Sequence, residues 1–513
     1  MEAKGGVALA ILLTGLFCLG EAVNAQAPSG RTSLASADCT RLASLALPNA
    51  TVTSANVVPA GQFKAPSGAS ASFANLPAFC RVSLTLTPSS DSDIKSETWL
   101  PMSGWNGNFQ EVGNGAWNGF IQYETLAEAL RRGYAGASTD TGHVGDTASF
   151  AIGHPEKLID FGYRATHETA VQSKRVIDAA YGRAQQFSYF TGCSAGGRQA
   201  FAEAQRFPED FDGIIAGDPG FDRTAETFQL ESVGQAMLRN PEGHIPDAKF
   251  GVLHQAVLDA CDALDGLKDG IISDPTRCKF DPAVKMCKGT DHPDCLTSAQ
   301  LETAKKFYSP LKDPKTGEEV FPGFEPGSEL RWSGLVEGPL VMADNLFKYV
   351  VFRDPNWDHL TLDVGRDLKL ARTMDNGVIS PTSPRLEAFI GRGGKLLIYH
   401  GWGDQNVAPL VSVEYYEKLV SVLGKKEVAA SVRLYMVPAM GHCGGGEGPN
   451  QFDALTPLAK WREKGAAPAE IIASQITNGA VTRTRPLCPY PQAAQYKGAG
   501  SADQAENFAC RVR

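Results

Sequence analysis

Gly192-Cys193-Ser194-Ala195-Gly196 is a G-x-S-x-G stretch between a short β-prone run, 187–191, and a helical run starting near Gly197. A serine on such a sharp strand-to-helix turn projects its hydroxyl out of a sheet, and glycines on either side avoid clashes that a Cβ would cause. The hydroxyl is a weak nucleophile until a base takes its proton, and the base needs an acid to orient it. Around a turn of this kind the chain order is serine, acid, histidine. His442, in Gly441-His442-Cys443 after the β-prone run 432–437, is the expected base. Asp404, in Gly403-Asp404-Gln405-Asn406 after the run 395–399, is the expected acid. His400 also follows Ser194, but it ends a strand, where a satisfied structural histidine is expected. Oxyanion donors should be the Ala195 amide and one from the glycine-rich stretch 113–119, with Gly115 the first choice. Cys193 and Cys443 adjoin the serine and the histidine, and a disulfide between them would hold both loops together; two independent cysteines are the alternative.

These residues need a scaffold. Strands are expected at 96–100, 108–112, 134–139, 187–191, 213–217, 395–399 and 432–437, and helices at 126–132, 166–181, 197–207 and 411–423. Strands alternating with helices imply a mostly parallel sheet covered on both faces. The rhythm breaks between about 221 and 384, where Cys261, Cys278, Cys287 and Cys295 fall close together and Trp332, Phe347, Tyr349, Phe352 and Trp357 follow. The organisation expected is a signal peptide at 1–25, one α/β domain in two parts (26–220 and 385–513), and an inserted lid at 221–384. The lid aromatics would either stack on a bound acyl ring or form the lid's own core. Asp262, Asp265 and Asp269 lie in a loop with Gly266 and Gly270, so three carboxylates could converge on a hard cation that takes 6–8 oxygens. Solvated loop acids are the alternative.

The chain has 513 residues with 48 basic and 57 acidic side chains, a net charge of −9. An acidic chain with pI near 5.6 carries no broad basic footprint for nucleic acid. A mean hydropathy of −0.18, with no long apolar run after the N-terminus, excludes a polytopic membrane protein. Lys4, an apolar run from Val7 to Leu19 and then Val23-Asn24-Ala25 read as a secretory signal cleaved near Ala25, leaving no membrane anchor. Cleavage removes Cys18, one of 11 cysteines, and leaves an even set suited to disulfides in a secreted chain. Ten cysteines allow about 945 pairings, and arithmetic does not choose among them. No cysteine–histidine spacing suits a structural zinc.

With Gly192-Cys193-Ser194-Ala195-Gly196-Gly197, Asp404 and His442-Cys443 in hand, the chain resembles the tannase and feruloyl esterase family. The resemblance implies an α/β-hydrolase fold with a large inserted lid, and a disulfide joining the neighbours of serine and histidine. It implies Gly115 as an oxyanion glycine. It further implies Ca²⁺ in the lid, held by the Asp262, Asp265 and Asp269 side chains and the Leu267 and Ile271 carbonyls. The remaining pairings it implies are Cys39–Cys80, Cys261–Cys278, Cys287–Cys295 and Cys488–Cys510. The expected activity is secreted serine carboxylesterase chemistry on small aromatic-acid esters, feruloyl or related hydroxycinnamoyl. Gallate esters and mono(2-hydroxyethyl) terephthalate are alternative substrates, and a binding protein on an inactive hydrolase fold is the non-enzymatic alternative. Arg392-Gly393-Gly394-Lys395 and the stretch from Arg485 to Pro491 resemble the terephthalate branch but read as scaffold. Ala195 and Val407 depart from that branch, whereas the stretch from Asp354 to Asp358 resembles the feruloyl esterase members.

Overall fold

The computed structural model describes residues 1–2, 32–66, 73–335 and 340–512. Most of the expected signal segment, with Cys18 and Ala25, lies outside them. Nine strands form one sheet: β1 (Ala50–Val58), β2 (Phe79–Leu86), β3 (Ile94–Pro101), β4 (Phe109–Val112), β5 (Ala135–Thr139), β6 (Ser188–Cys193), β7 (Gly213–Gly217), β8 (Lys395–Gly401) and β9 (Val432–Val437). Their spatial order is β1-β2-β3-β5-β4-β6-β7-β8-β9. Neighbours from β5 to β9 run parallel, while β1, β2, β3 and β5 pair antiparallel. The expected parallel sheet is therefore the centre of a mixed one. β1 and β2 escaped the sequence reading because β1 is an edge strand rich in Thr, Ser and Asn, with one buried residue.

Helices cover both faces, as continuous apolar strands require. On one face α1 (Tyr123–Arg131) and, near the C-terminus, α7 (Leu455–Lys464) pack Ala129, Leu455 and Leu458 over Ile215, Leu397 and Tyr435. On the other lie α2 (Ala165–Tyr181), α3 (Ala195–Arg206) and α6 (Leu410–Leu423), which set Ile177, Phe201 and Leu419 against Phe190, Ile214 and Ile398. Each such side chain, fully buried, contributes about 1.5–3 kcal/mol.

β7 and β8 are adjacent in the sheet, yet the whole lid lies between them in sequence. Its first helices are α4 (Arg223–Leu238) and α5 (Asp247–Cys261). Its aromatics pack in clusters that also take in residues of the α/β domain. Trp332 is fully buried, stacks on Phe307 at 4.3 Å and donates from Nε1 to Ser328 Oγ at 3.0 Å. Phe347 meets Phe228 edge-on at 4.9 Å, and Phe352 stacks on Trp357 at 5.2 Å. Trp332 and Phe347 are buried in packing, whereas Tyr349, Phe352 and Trp357 stay partly exposed. Two hairpins close the chain: β10 (Ile471–Thr477) with β11 (Ala480–Leu487), and β12 (Gln492–Tyr496) with β13 (Phe508–Val512).

Five disulfides are present: Cys39–Cys80, Cys193–Cys443, Cys261–Cys278, Cys287–Cys295 and Cys488–Cys510. These are the pairs the resemblance implies, and so many bonds suit an oxidising compartment. No helix among the described residues is long and apolar enough to cross a membrane. A parallel-centred sheet, helices on both faces, a serine between β6 and α3, and a lid inserted after β7 make this an α/β-hydrolase fold.

Candidate active site

β6 runs to Cys193 and α3 begins at Ala195, so the whole turn is Ser194, at φ 62° and ψ −118°. This is strained backbone for a residue with a Cβ, costing about 1–3 kcal/mol. It is held by Ser194 N–H donating to Gly217 O at 2.9 Å and by Ser194 O accepting from Arg198 N–H at 3.0 Å. Gly192 is obligatory here, since a Cβ on it would lie 2.5 Å from the Gly196 carbonyl. Ala195 N–H is the first amide of α3 and has no acceptor within the helix. Gly115, in the loop after β4, lines one cavity together with Ser194.

Asp404 and His442 meet. His442 Nδ1 lies 2.7 Å from Asp404 Oδ2, with the acid fully buried and the imidazole side chain 12% exposed. The Cys193–Cys443 disulfide ties the loop of His442 to the end of β6, 250 residues away in sequence. Burial works against a charged imidazole, but the adjacent Asp404 carboxylate outweighs it and raises the His442 pKa. Burial likewise opposes the Asp404 charge, yet His442 and His400 hold this carboxyl well below the usual range. The lid braces the same loop. Arg331 pairs with Glu447 at 3.2 Å, and its Nε lies where a Cβ on Gly441 would come within 2.4 Å.

Two groups that the sequence reading left aside stand beside the acid. His400 Nε2 is 3.1 Å from Asp404 Oδ2, so its nitrogen is satisfied by the candidate acid itself. Asp218, directly after β7, is fully buried, accepts Gly401 N–H at 2.8 Å and lies 3.9 Å from His400 Nε2. Burial raises its pKa against the pull of His400. Asp218 joins them because β7 and β8 lie side by side, whereas His400 meets Asp404 from four residues earlier in the chain.

A cavity of about 480 Å³ is lined by Ser194 together with Glu128 of α1 and Leu455 of α7. Gly115, Cys443, Gln110, Thr191 and Tyr399 are also among its lining. Arg132 of the segment after α1 bonds Asp453, just before α7, at 2.9 Å.

In the lid loop, Asp262 accepts the Asp269 and Gly270 amides, and Asp265 accepts the Leu267 amide and the Ser273 hydroxyl. Asp269 accepts the Ile271 amide and pairs with Arg485 of β11 at 2.7 Å. Among the described residues, the side-chain groups whose ligand atoms all lie within 4.8 Å of one another are Cys193–Asp218–Cys443 and Asp218–His400–Asp404. The three loop aspartates do not form such a group. Their donor chemistry, all oxygen and three carboxylates, nevertheless fits a hard cation.

A model of the family described as tannase and feruloyl esterase matches residues 80–511. An uncharacterized esterase of Xanthomonas campestris pv. campestris is 39% identical over 93% of this chain and 92% of its own. A probable feruloyl esterase B-1 of Aspergillus fumigatus is 33% identical over 84% and 85%. The crystal structure of feruloyl esterase B from Aspergillus oryzae superimposes with a TM-score of 0.88 at 31% identity, covering 93% of this chain and 100% of that one.

Proposed function

Since the chain belongs to the tannase and feruloyl esterase family and is a carboxylic ester hydrolase, we propose that it hydrolyses small aromatic-acid esters, feruloyl or related hydroxycinnamoyl, as a secreted serine esterase. The observation that carries the mechanism is the 2.7 Å contact of His442 with Asp404 on a loop bound covalently to the neighbour of Ser194. His442 takes the Ser194 proton as the hydroxyl attacks the ester carbonyl. Asp404 keeps the Nδ1–H tautomer in place and stabilises the imidazolium that forms. The Ala195 and Gly115 amides receive the oxyanion, each worth about 2.7–4 kcal/mol. His442 returns the proton to the leaving alcohol, and water then releases the acid from Ser194 by the same steps. The cavity beside Ser194 offers room for the leaving alcohol.

The hydroxycinnamoyl preference is supported by relatives named feruloyl esterase at 33% identity. Ca²⁺ belongs to this reading as a structural ion, with Asp262, Asp265 and Asp269 and the Leu267 and Ile271 carbonyls as its donors. The test is kcat/KM on methyl ferulate, methyl p-coumarate, methyl gallate and mono(2-hydroxyethyl) terephthalate, with Ser194→Ala as the blank. That substitution should lower kcat by about 10⁶. A tenfold preference for hydroxycinnamates, about 1.4 kcal/mol, is the expected outcome. A preference for gallate or terephthalate would overturn the acyl assignment and leave the triad.

A further inference from the structure

Asp404 is the most densely bonded acid of the site. Its Oδ1 accepts the Asn406 amide at 2.7 Å and the Val407 amide at 3.0 Å. Its Oδ2 is shared by two imidazoles, His442 Nδ1 at 2.7 Å and His400 Nε2 at 3.1 Å. The same His400 nitrogen lies 3.1 Å from the Val407 carbonyl. A carbonyl can only accept, so Nε2 carries a hydrogen. His400 Nδ1 faces the Ser412 hydroxyl at 2.7 Å, which can donate to it. The neutral Nε2–H tautomer thus satisfies every contact of a ring that is fully buried. The serine that meets Nδ1 belongs to α6, and the histidine it meets ends β8.

Resting on the serine-esterase reading, we infer that His400 is a positioning residue for the triad acid. Its Nε2–H clamps both Asp404 and the turn from Asp404 to Val407, and it sets how strongly Asp404 holds His442. An oxygen that accepts a second hydrogen bond has its charge partly satisfied and pulls less on the first donor. Without His400, Oδ2 serves His442 alone and pulls harder on its Nδ1–H, which favours the imidazolium. The acid also loses one of four anchors, so the imidazole is aimed less well. The charged groups facing His442 are Asp404, Asp218 and Glu226, and those facing His400 are Asp404 and Asp218. All the charged groups facing His442 are carboxyl groups, so none of them opposes that shift toward the imidazolium.

The test is the pH profile of kcat/KM for methyl ferulate in His400→Phe, His400→Gln and Ser412→Ala. His400→Phe should lower kcat about 10²-fold with little change in KM, and should move the acidic limb to higher pH. His400→Gln, which can present an N–H near the position of Nε2, should recover most of both effects. Ser412→Ala, which leaves the ring but removes its partner at Nδ1, should shift the limb the same way by less; it keeps the question answerable if His400→Phe folds poorly. Unchanged kcat and limb in His400→Phe, or equal losses in the Phe and Gln variants with an unmoved limb, would overturn the inference. Ser194→Ala is measured alongside. Activity surviving there overturns the esterase mechanism and this inference with it, whereas a dead Ser194→Ala beside an unaffected His400→Phe overturns this inference alone.

Discussion

The Cys193–Cys443 disulfide joins the neighbours of Ser194 and His442, and on the serine-esterase reading their chemistry follows from the charge of Asp404. Protonated on both nitrogens, His442 must lose its Nε2 proton before it can act as base, while Asp404 keeps the Nδ1–H. Because Asp404 raises the His442 pKa, kcat/KM should fall as pH drops through the raised value and level off on its alkaline side. A profile flat from about pH 5 to 9 would contradict the assignment of His442 as base. Asp404→Asn should keep the fold yet lower kcat by about 10⁴, through loss of the correct tautomer; steady-state kinetics with circular dichroism separates the two effects. The signals that point to these three residues are local: a serine between glycines, and an acid and a histidine just past strands. His400, four residues before Asp404, reads from the sequence only as a satisfied structural histidine. Asp218 carries no local signal, because its place beside His400 is a product of strand order.

At the scale of elements, the expected runs from 395 to 399 and 432 to 437 are found as β8 and β9, and the run expected to end at Thr191 continues two residues to Cys193. The extension matters, since it compresses the turn onto Ser194 alone and stores the strain there. What went unread was the antiparallel edge, α7 and the C-terminal hairpins, whose polar or mixed patterns carry weak periodicity. One of those hairpins grips the lid loop. Arg485, 1% exposed, pairs with Asp269, and Arg483 bonds the Asp269 carbonyl at 3.2 Å. Breaking such a buried pair from one side typically costs about 3–5 kcal/mol, so Arg485→Met should lower the urea midpoint accordingly. The same loop carries the calcium prediction. Excess chelator should lower Tm and added Ca²⁺ should restore it; an unchanged Tm together with no metal by elemental analysis would remove the ion from the loop.

For the molecule as a whole, the disulfides differ sharply in span. Two lid bridges close over 17 and 8 residues, whereas Cys193–Cys443 closes over 250. Closure entropy rises about 0.6 kcal/mol per doubling of loop length, so the long bridge is disfavoured against a 17-residue one by roughly 2 kcal/mol before native contacts form. A chain threaded out N-terminus first presents Cys193 long before Cys443, and Cys261, Cys278, Cys287 and Cys295 emerge in between. Each is a decoy thiol for a cysteine whose rightful partner has not yet been made. The short bridges withdraw those decoys in pairs as soon as they appear. Cys287→Ser, which strands Cys295, should therefore reduce the fraction of chains with Cys193 joined to Cys443, and Cys287→Ser with Cys295→Ser should restore it; peptide mapping by mass spectrometry counts both. In this light the lid bridges act as chaperones in cis, keeping one sulfur vacant until the last quarter of the chain arrives to claim it.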